Sequence, residues 1–450
     1  MKQVLMKRGK AVVDEVPAPQ IGDQEALVRV SYSCISTGTE LSGLKEGGKP
    51  LLLRLLQQPQ NIARGLQMVA TQGFSRTLAV AQGILDSGYP TGYSAAGMVL
   101  AVGKDIQDIV PGDRVACAGA GIANHAEFIA VPRNLLVKVP DDLPLDIAST
   151  VTLGCIALQG VRRADPKLGE TVAVIGLGIL GQLTVQMLKA NGCSVIGVDR
   201  DQRRIVQALL HGMDRGLDAS SDIIIDDVIR FSRGKGADAV VITASSTTSD
   251  IMDQAMDMCR KKGRVVIVGD VGLHLKREKF YKKELDVFIS TSYGPGRYDH
   301  SYETEGKDYP FAYVRWTENR NMDAYLRLVS EKKVLVQPLI ERTYPVDEAA
   351  KAYEELQLAA SKPLMVLLEY SKESVPGGKV VVSSAAKKKG QIAVGLIGAG
   401  GFAKGMHLPN LQMLEKFYTL HAVASKTGTN AKAIALQYDA VYATTDYREI

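Results

Sequence analysis

Val172-Ala173-Val174-Ile175-Gly176-Leu177-Gly178-Ile179-Leu180-Gly181 sets an apolar strand against a Gly-x-Gly-x-x-Gly turn. The spacing predicts a strand over Thr171–Ile175, a helix over Leu180–Ala190 and a further strand over Ser194–Val198. Gly176 permits the tight turn, Gly178 lets a pyrophosphate approach the backbone, and Gly181 lets helix and strand pack closely. Unpaired N–H groups at the helix start, around Ile179 and Leu180, and the helix dipole then favour negative charge. Asp199 follows the second strand about 20 residues on, the position at which an acid meets the adenosine ribose. Beside a 2′-phosphate, like charges ~4 Å apart at a dielectric of ~20 repel by roughly 4 kcal/mol. NAD is therefore the expected cofactor of this loop, preferred over NADP, although Arg200, Arg203 and Arg204 stand close enough to offset the repulsion.

Strands and helices keep alternating beyond this unit, through Ala239–Thr243 and Arg264–Val268, which argues for a doubly wound parallel sheet. Before it, Ala26–Tyr32, Ala96–Val102 and Glu127–Val131 read as short strands separated by turns such as Pro111-Gly112-Asp113, the pattern of a small β-barrel. About 50–86 has helical texture and reads as an insertion, and Lys362–Glu369 reads as a closing strand. Domains are expected at 1–148 (completed by about 338–370) and 149–337, with a Ser-, Gly- and Lys-rich linker at 371–390 and a second nucleotide-binding unit at 391–450.

The chain of 450 residues has 23% charged residues and a net charge of +5, which points to no nucleic-acid or membrane partner. Met1–Lys10 has no apolar run after it and no stretch is long enough to span a bilayer. Five cysteines without Cys-x-x-Cys spacing fit reduced thiols. The expected setting is cytoplasmic.

Pro111–Val115, Ala126–Pro132, the Gly176 loop and Gly263–Gly269, in this order, resemble the medium-chain dehydrogenase/reductase family, which includes the zinc alcohol dehydrogenases. The resemblance covers residues 1–370 and implies a GroES-like catalytic barrel beside a Rossmann domain. It also implies hydride transfer with NAD(P). Zinc-dependent members carry a Cys in a Gly-Ile-Cys-Gly-Thr-Asp stretch, a His-Glu pair after Gly, and a later Cys or acid. Here Ser36 stands for the first ligand in Cys34–Glu40, Tyr93 and Ser94 stand for His-Glu, and Cys155 alone keeps a donor. Since catalytic zinc takes about three protein ligands, no zinc is expected. Ser36, Thr37, Thr39 and Tyr93 offer hydroxyls instead, and one preorganised donor to an oxyanion supplies roughly 3 kcal/mol. Tyr93, Thr39 and Ser36 are the catalytic candidates, with Tyr93 as proton donor or orienting hydroxyl; the alternative is that Tyr93 only fills the vacated cavity.

Gly92–Gly97, the helical insertion, and Ser292–Asp299 with Asp308–Pro310 and Tyr313–Asn321 resemble a narrower bacterial group of two-part oxidoreductases found among polysaccharide genes. Arg297, Tyr298, Arg315, Trp316 and Asn319 offer cations, aromatic faces and an amide suited to a sugar or nucleotide-sugar; they read equally as a packed polar loop, with Trp316 in the core. Ile392–Ala403 repeats the strand–glycine loop and, with His407-Leu408-Pro409 and Thr444–Tyr447, resembles the start of the glucose–fructose oxidoreductase/inositol dehydrogenase family. Gly398, Gly400 and Ala403 take the loop positions, and Ser425-Lys426 in place of an acid suits NADP as well as NAD.

About two strand–helix units leave a sheet edge and face uncovered, so a longer polypeptide is expected, with catalysis confined to residues 1–370. The leading expectation is oxidation or reduction of a sugar carbinol or carbonyl, a small-molecule substrate, and the family resemblance leaves a homo-oligomer open. Reduction of an activated C=C and a non-catalytic nucleotide-binding scaffold are the rival readings.

Overall fold

The computed structural model describes residues 1–38, 40, 88–359, 361–383 and 390–450. The expected helical insertion at about 50–86 and the candidate Thr39 lie outside them.

Six parallel strands lie side by side in the order Arg215–Asp218, Ser194–Asp199, Thr171–Ile175, Ala237–Ile242, Cys259–Ile267 and Asp286–Ile289. The order reverses at Thr171–Ile175, which creates a crevice beyond the strand ends where the glycine loop sits. The central strands are apolar on both faces. Val172 and Val174 pack into one core with Leu183 and Leu188, whereas Ala173 and Ile175 pack into another with Ile196, Val240 and Met256. Such two-faced burial is what βαβ crossovers impose, since helices cover both sides.

A seven-stranded sheet of the first 370 residues has Ile340–Pro345, Met365–Glu369, Glu25–Ile35, Ser94–Val102, Arg114–Ala118 and Leu136–Lys138 in order, with Phe128–Pro132 also paired to Glu25–Ile35. Glu25–Ile35 is long enough to serve three neighbours because its pairing shifts register between Leu27 and Val28 and between Val30 and Tyr32. Val28, Val30, Val99, Val115 and Leu367 fill the inside and join the same core as Val172. The barrel and one face of the parallel sheet therefore share their apolar packing.

Residues 390–450 contribute three parallel strands, Ile392–Ile397, Tyr418–Ala424 and Tyr442–Thr444. The expected linker departs from expectation here. Lys379–Val381 pairs antiparallel with Tyr442–Thr444, because consecutive valines favour an extended chain and an otherwise open edge offers it partners. This sheet has its own core around Leu420, Val423, Ile434 and Ala443. It is tied to the barrel by Thr429 Oγ1 to Gln3 Oε1 at 2.7 Å and by Lys432 Nζ to Asp14 Oδ1 at 2.5 Å. Among the described residues no helix is long and apolar enough to cross a membrane.

Candidate functional site

The glycine loop is built as its sequence requires. Gly176 has φ +93°, and a Cβ on Gly181 would lie 2.0 Å from the Gly176 carbonyl oxygen. Any larger residue at 181 would push the helix off the strand. A Cβ on Gly178 would meet only Arg204 Nη1, at 3.9 Å, so the space a pyrophosphate needs is open. Ile179 and Leu180 form the first turn of the helix Ile179–Ala190, whose leading N–H groups have no intrahelical acceptors. The residues therefore fit a dinucleotide.

Asp199 is buried at the end of its strand and is already engaged by the protein. Its Oδ2 accepts Leu177 N–H at 2.6 Å and its Oδ1 accepts Asp201 N–H at 2.8 Å. These bonds aim the carboxylate at the loop and leave each oxygen a second lone pair for a ribose hydroxyl. Arg204 stands 3.9 Å from both Asp199 and Asp201, so two carboxylates oppose its charge. Arg200 is exposed.

The positions corresponding to the zinc ligands are joined by a carboxylate that sequence reading overlooked. Glu40 is 8% exposed. Its Oε1 accepts Ser36 N–H at 2.8 Å, and its Oε2 accepts Thr91 Oγ1 at 2.8 Å and the Tyr353 hydroxyl. His125 Nε2 lies 3.2 Å from the same Oε2, and its Nδ1 is 2.7 Å from Ser33 Oγ, which also meets the Tyr370 hydroxyl. Burial alone would raise the Glu40 carboxyl. The charge and hydrogen bond of His125, with Tyr353 and the Ser36 amide, outweigh it and hold the group below its ordinary value.

This network places Tyr93. Thr91 is two residues upstream, and the Tyr93 carbonyl accepts Gly119 N–H at 3.0 Å and Thr152 Oγ1 at 2.9 Å. Thr152 lies in the first turn of the helix Val151–Ala164, which packs along the helix that starts at the glycine loop. Glu40 thus links the Ser36 backbone to Thr91, and the Tyr93 backbone is held to the helix that packs along the cofactor-loop helix.

The described residues at this site do not make a zinc ligand set. Ser36 and Tyr93 are hydroxyls, and the Cys155 thiol is wholly buried and pushed far above its usual range by desolvation and by Glu318. Both nitrogens of His125 are committed within the network. Among the described residues no three His, Cys, Asp or Glu side chains are grouped to hold a metal.

The segment expected to hold substrate divides between two places. Arg297 Nη1 pairs with Glu303 Oε1 at 2.5 Å, and its guanidinium lies 4.1 Å from the ring centre of Tyr298. Asn319 Nδ2 donates to the carbonyls of Asn134 and Leu136, clamping its helix to the barrel. Asn319, Arg315 and Trp316 together line a separate cleft of about 910 Å³. The five residues do not converge on the Tyr93 site, because polar and aromatic content does not specify which way a loop faces.

Residues 180–304 match the family model described as zinc-binding dehydrogenase. The D-guloside 3-dehydrogenase of Shigella flexneri is 26% identical over 278 residues, 60% of this chain and 75% of that protein. The (R,R)-butanediol dehydrogenase of Neisseria gonorrhoeae is 23% identical over 384 residues, 78% of this chain and 93% of that protein. The chain is therefore similar, over most of its first 370 residues, to alcohol dehydrogenase-like members of the medium-chain dehydrogenase/reductase family. Its fold is also that of an alcohol dehydrogenase from Thermus sp. ATN1, with TM-score 0.62 and 21% identity over 82% of this chain and 100% of that one. The matched family model carries zinc in its name, while the residues read from the sequence against the zinc-ligand positions are Ser36, Tyr93 and Cys155.

In the second unit, Gly398 and Gly400 face open space and Ala403 is buried. Ser425 Oγ accepts Asn430 Nδ2 at 2.7 Å, and Lys426 Nζ lies 3.7 Å from Glu25 Oε1 of the barrel. The lysine expected to meet a 2′-phosphate therefore has a carboxylate beside it.

Proposed function

We propose that residues 1–370 transfer hydride between NAD and a carbinol or carbonyl of a sugar derivative without a catalytic metal. The observation that carries this reading is a buried carboxylate, Glu40, tying Ser36 to the Thr91–Tyr93 turn beside the frame of the cofactor loop. NAD, when bound, supplies the hydride acceptor or donor. The Gly176 loop and the first turn at Ile179 and Leu180 hold its pyrophosphate, and Asp199 takes its ribose hydroxyls. Tyr93 and Ser36, with Thr39, orient the substrate oxygen and exchange its proton, which metal ligation would otherwise handle. Substrate of the sugar class is supported by the relative named D-guloside 3-dehydrogenase. The second loop, Gly398 to Ala403 with Ser425 and Lys426, is proposed to take NADP or NAD.

Titration of the full chain with NADH and NADPH tests the cofactor assignment. NADH should bind more tightly, and Asp199→Ser should narrow or reverse the preference by about tenfold or more, since the substitution removes the repelling charge and leaves Arg204 less opposed. Identical affinities in the wild type, unchanged by Asp199→Ser, would remove the assignment. Turnover on glycosides and nucleotide-sugars should then survive a strong zinc chelator. Loss of activity with the chelator, restored by zinc, would overturn the metal-free reading.

A further inference from the structure

The cleft holding Trp316 lies at the other end of the helices that frame the cofactor loop. Met187, Ala190 and Asn191, from the C-terminal end of Ile179–Ala190, line it, and 12 residues at about 1.5 Å each set it roughly 18 Å from the loop. Ile109 and Val137 of the barrel form the opposite wall, so the cleft sits at the junction of the two folding units. Its volume of about 910 Å³ is within the range of small-molecule sites.

The charges in this cleft are not all balanced. Arg133 pairs with Asp108, Lys138 with Asp113, Arg320 with Asp308, Arg327 with Asp323 and Lys333 with Glu331. Arg162 and Arg315 have no carboxylate within ion-pair distance among the described residues. Instead both lie against Trp316, with guanidinium carbons 3.3 Å and 3.7 Å from its ring centre. Arg162 Nε donates to Asn321 Oδ1 at 2.8 Å, which fixes the group and leaves its terminal nitrogens available. Burial, with the neighbouring charge of Arg315, lowers the Arg162 pKa to about 10. The two guanidinium groups sandwich the Trp316 ring from opposite faces, and a dianion at the edge of the ring that reaches both would offset the cost of two cations, one of them partly desolvated.

We propose that this cleft binds a phosphate-bearing metabolite, its phosphate held by Arg162 and Arg315 beside Trp316, at a site separate from the cofactor loop. Two planar guanidinium forks match the charge and the paired oxygens of a phosphate; a carboxylate would satisfy only one.

Trp316 is the only tryptophan of the chain, so its fluorescence reports on this cleft. Inorganic phosphate, titrated into the full chain at constant ionic strength with saturating NAD present, should give a saturable change, and acetate should not. Arg315→Gln and Arg162→Gln should each weaken the apparent phosphate affinity by about tenfold or more while leaving NADH affinity unchanged. Arg315 is exposed, so its replacement does not endanger folding. Absence of a saturable response, an equal response to acetate, or phosphate affinity unchanged in both variants would overturn the proposal.

Discussion

Replacing Glu40 by alanine should cost the dehydrogenase about 3–5 kcal/mol of folding stability and most of its turnover. Four groups lose their acceptor at once: the Ser36 amide, the Thr91 hydroxyl, His125 Nε2 and the Tyr353 hydroxyl. All four are sealed from solvent, so none recovers the lost bond from water, and each bears its own desolvation penalty. Turnover falls because Thr91 precedes Tyr93 in the turn that Glu40 anchors. Glu40→Gln, which keeps the shape and one acceptor oxygen, should retain more stability than the alanine variant. The pH dependence has a fixed sign. The folded carboxyl lies below the ordinary glutamate value of 4.5, so the stabilisation is complete above that value and is lost as pH falls through the folded one. Denaturant midpoints for wild type and Glu40→Ala should differ widely at pH 7 and converge in acid. Equal midpoints at pH 7 would show that the network carries no net stability.

The residues that made the cofactor loop legible are contiguous. Thr171–Gly181 combines a strand period, three glycines and a helix start within one short stretch, and the structure forms the strand and helix there within one residue of expectation. The Glu40 network had no such signature. Its members stand at 33, 36, 40, 91, 125, 353 and 370, and only folding of the barrel around Glu25–Ile35 assembles them. One local hint existed, because Glu40 ends the Cys34–Glu40 stretch where the resembling family has an acid. His125 offered none. The Arg315–Trp316 pair shows a different limit: its composition reads as a ligand site, and the missing partner, Arg162, is contributed by the far end of another helix. Likewise Lys379–Val381 sits in a polar stretch that reads as linker, and its strand forms only because Tyr442–Thr444 offers an edge.

Glu318→Gln should flatten the decline of stability between about pH 5 and pH 9 and leave the variant more stable than wild type at the alkaline end. Glu318 opens the helix Glu318–Ser330 and is 0% exposed. Neither of its carboxyl oxygens has a hydrogen-bond partner among the described residues. Desolvation, reinforced by Glu303 and only partly opposed by Arg297, raises its pKa to about 9. The folded protein therefore holds a proton that the unfolded chain releases near 4.5. Stabilisation from that proton is complete below about 4.5, shrinks as pH climbs, and is gone above the folded value. A shift of this size corresponds to an effect on the order of several kcal/mol. Glutamine is nearly isosteric and neutral at every pH, so it keeps the packing and removes the titration. Denaturant midpoints of wild type and variant at pH 5, 7 and 9 isolate this group, since all other titrations are common to both. Curves that run parallel across the range would mean that Glu318 ionises normally and that its charge is compensated in the fold. Curves that diverge toward pH 9 would establish a neutral carboxylic acid beneath the Arg297–Tyr298 loop, next to the Cys155 helix.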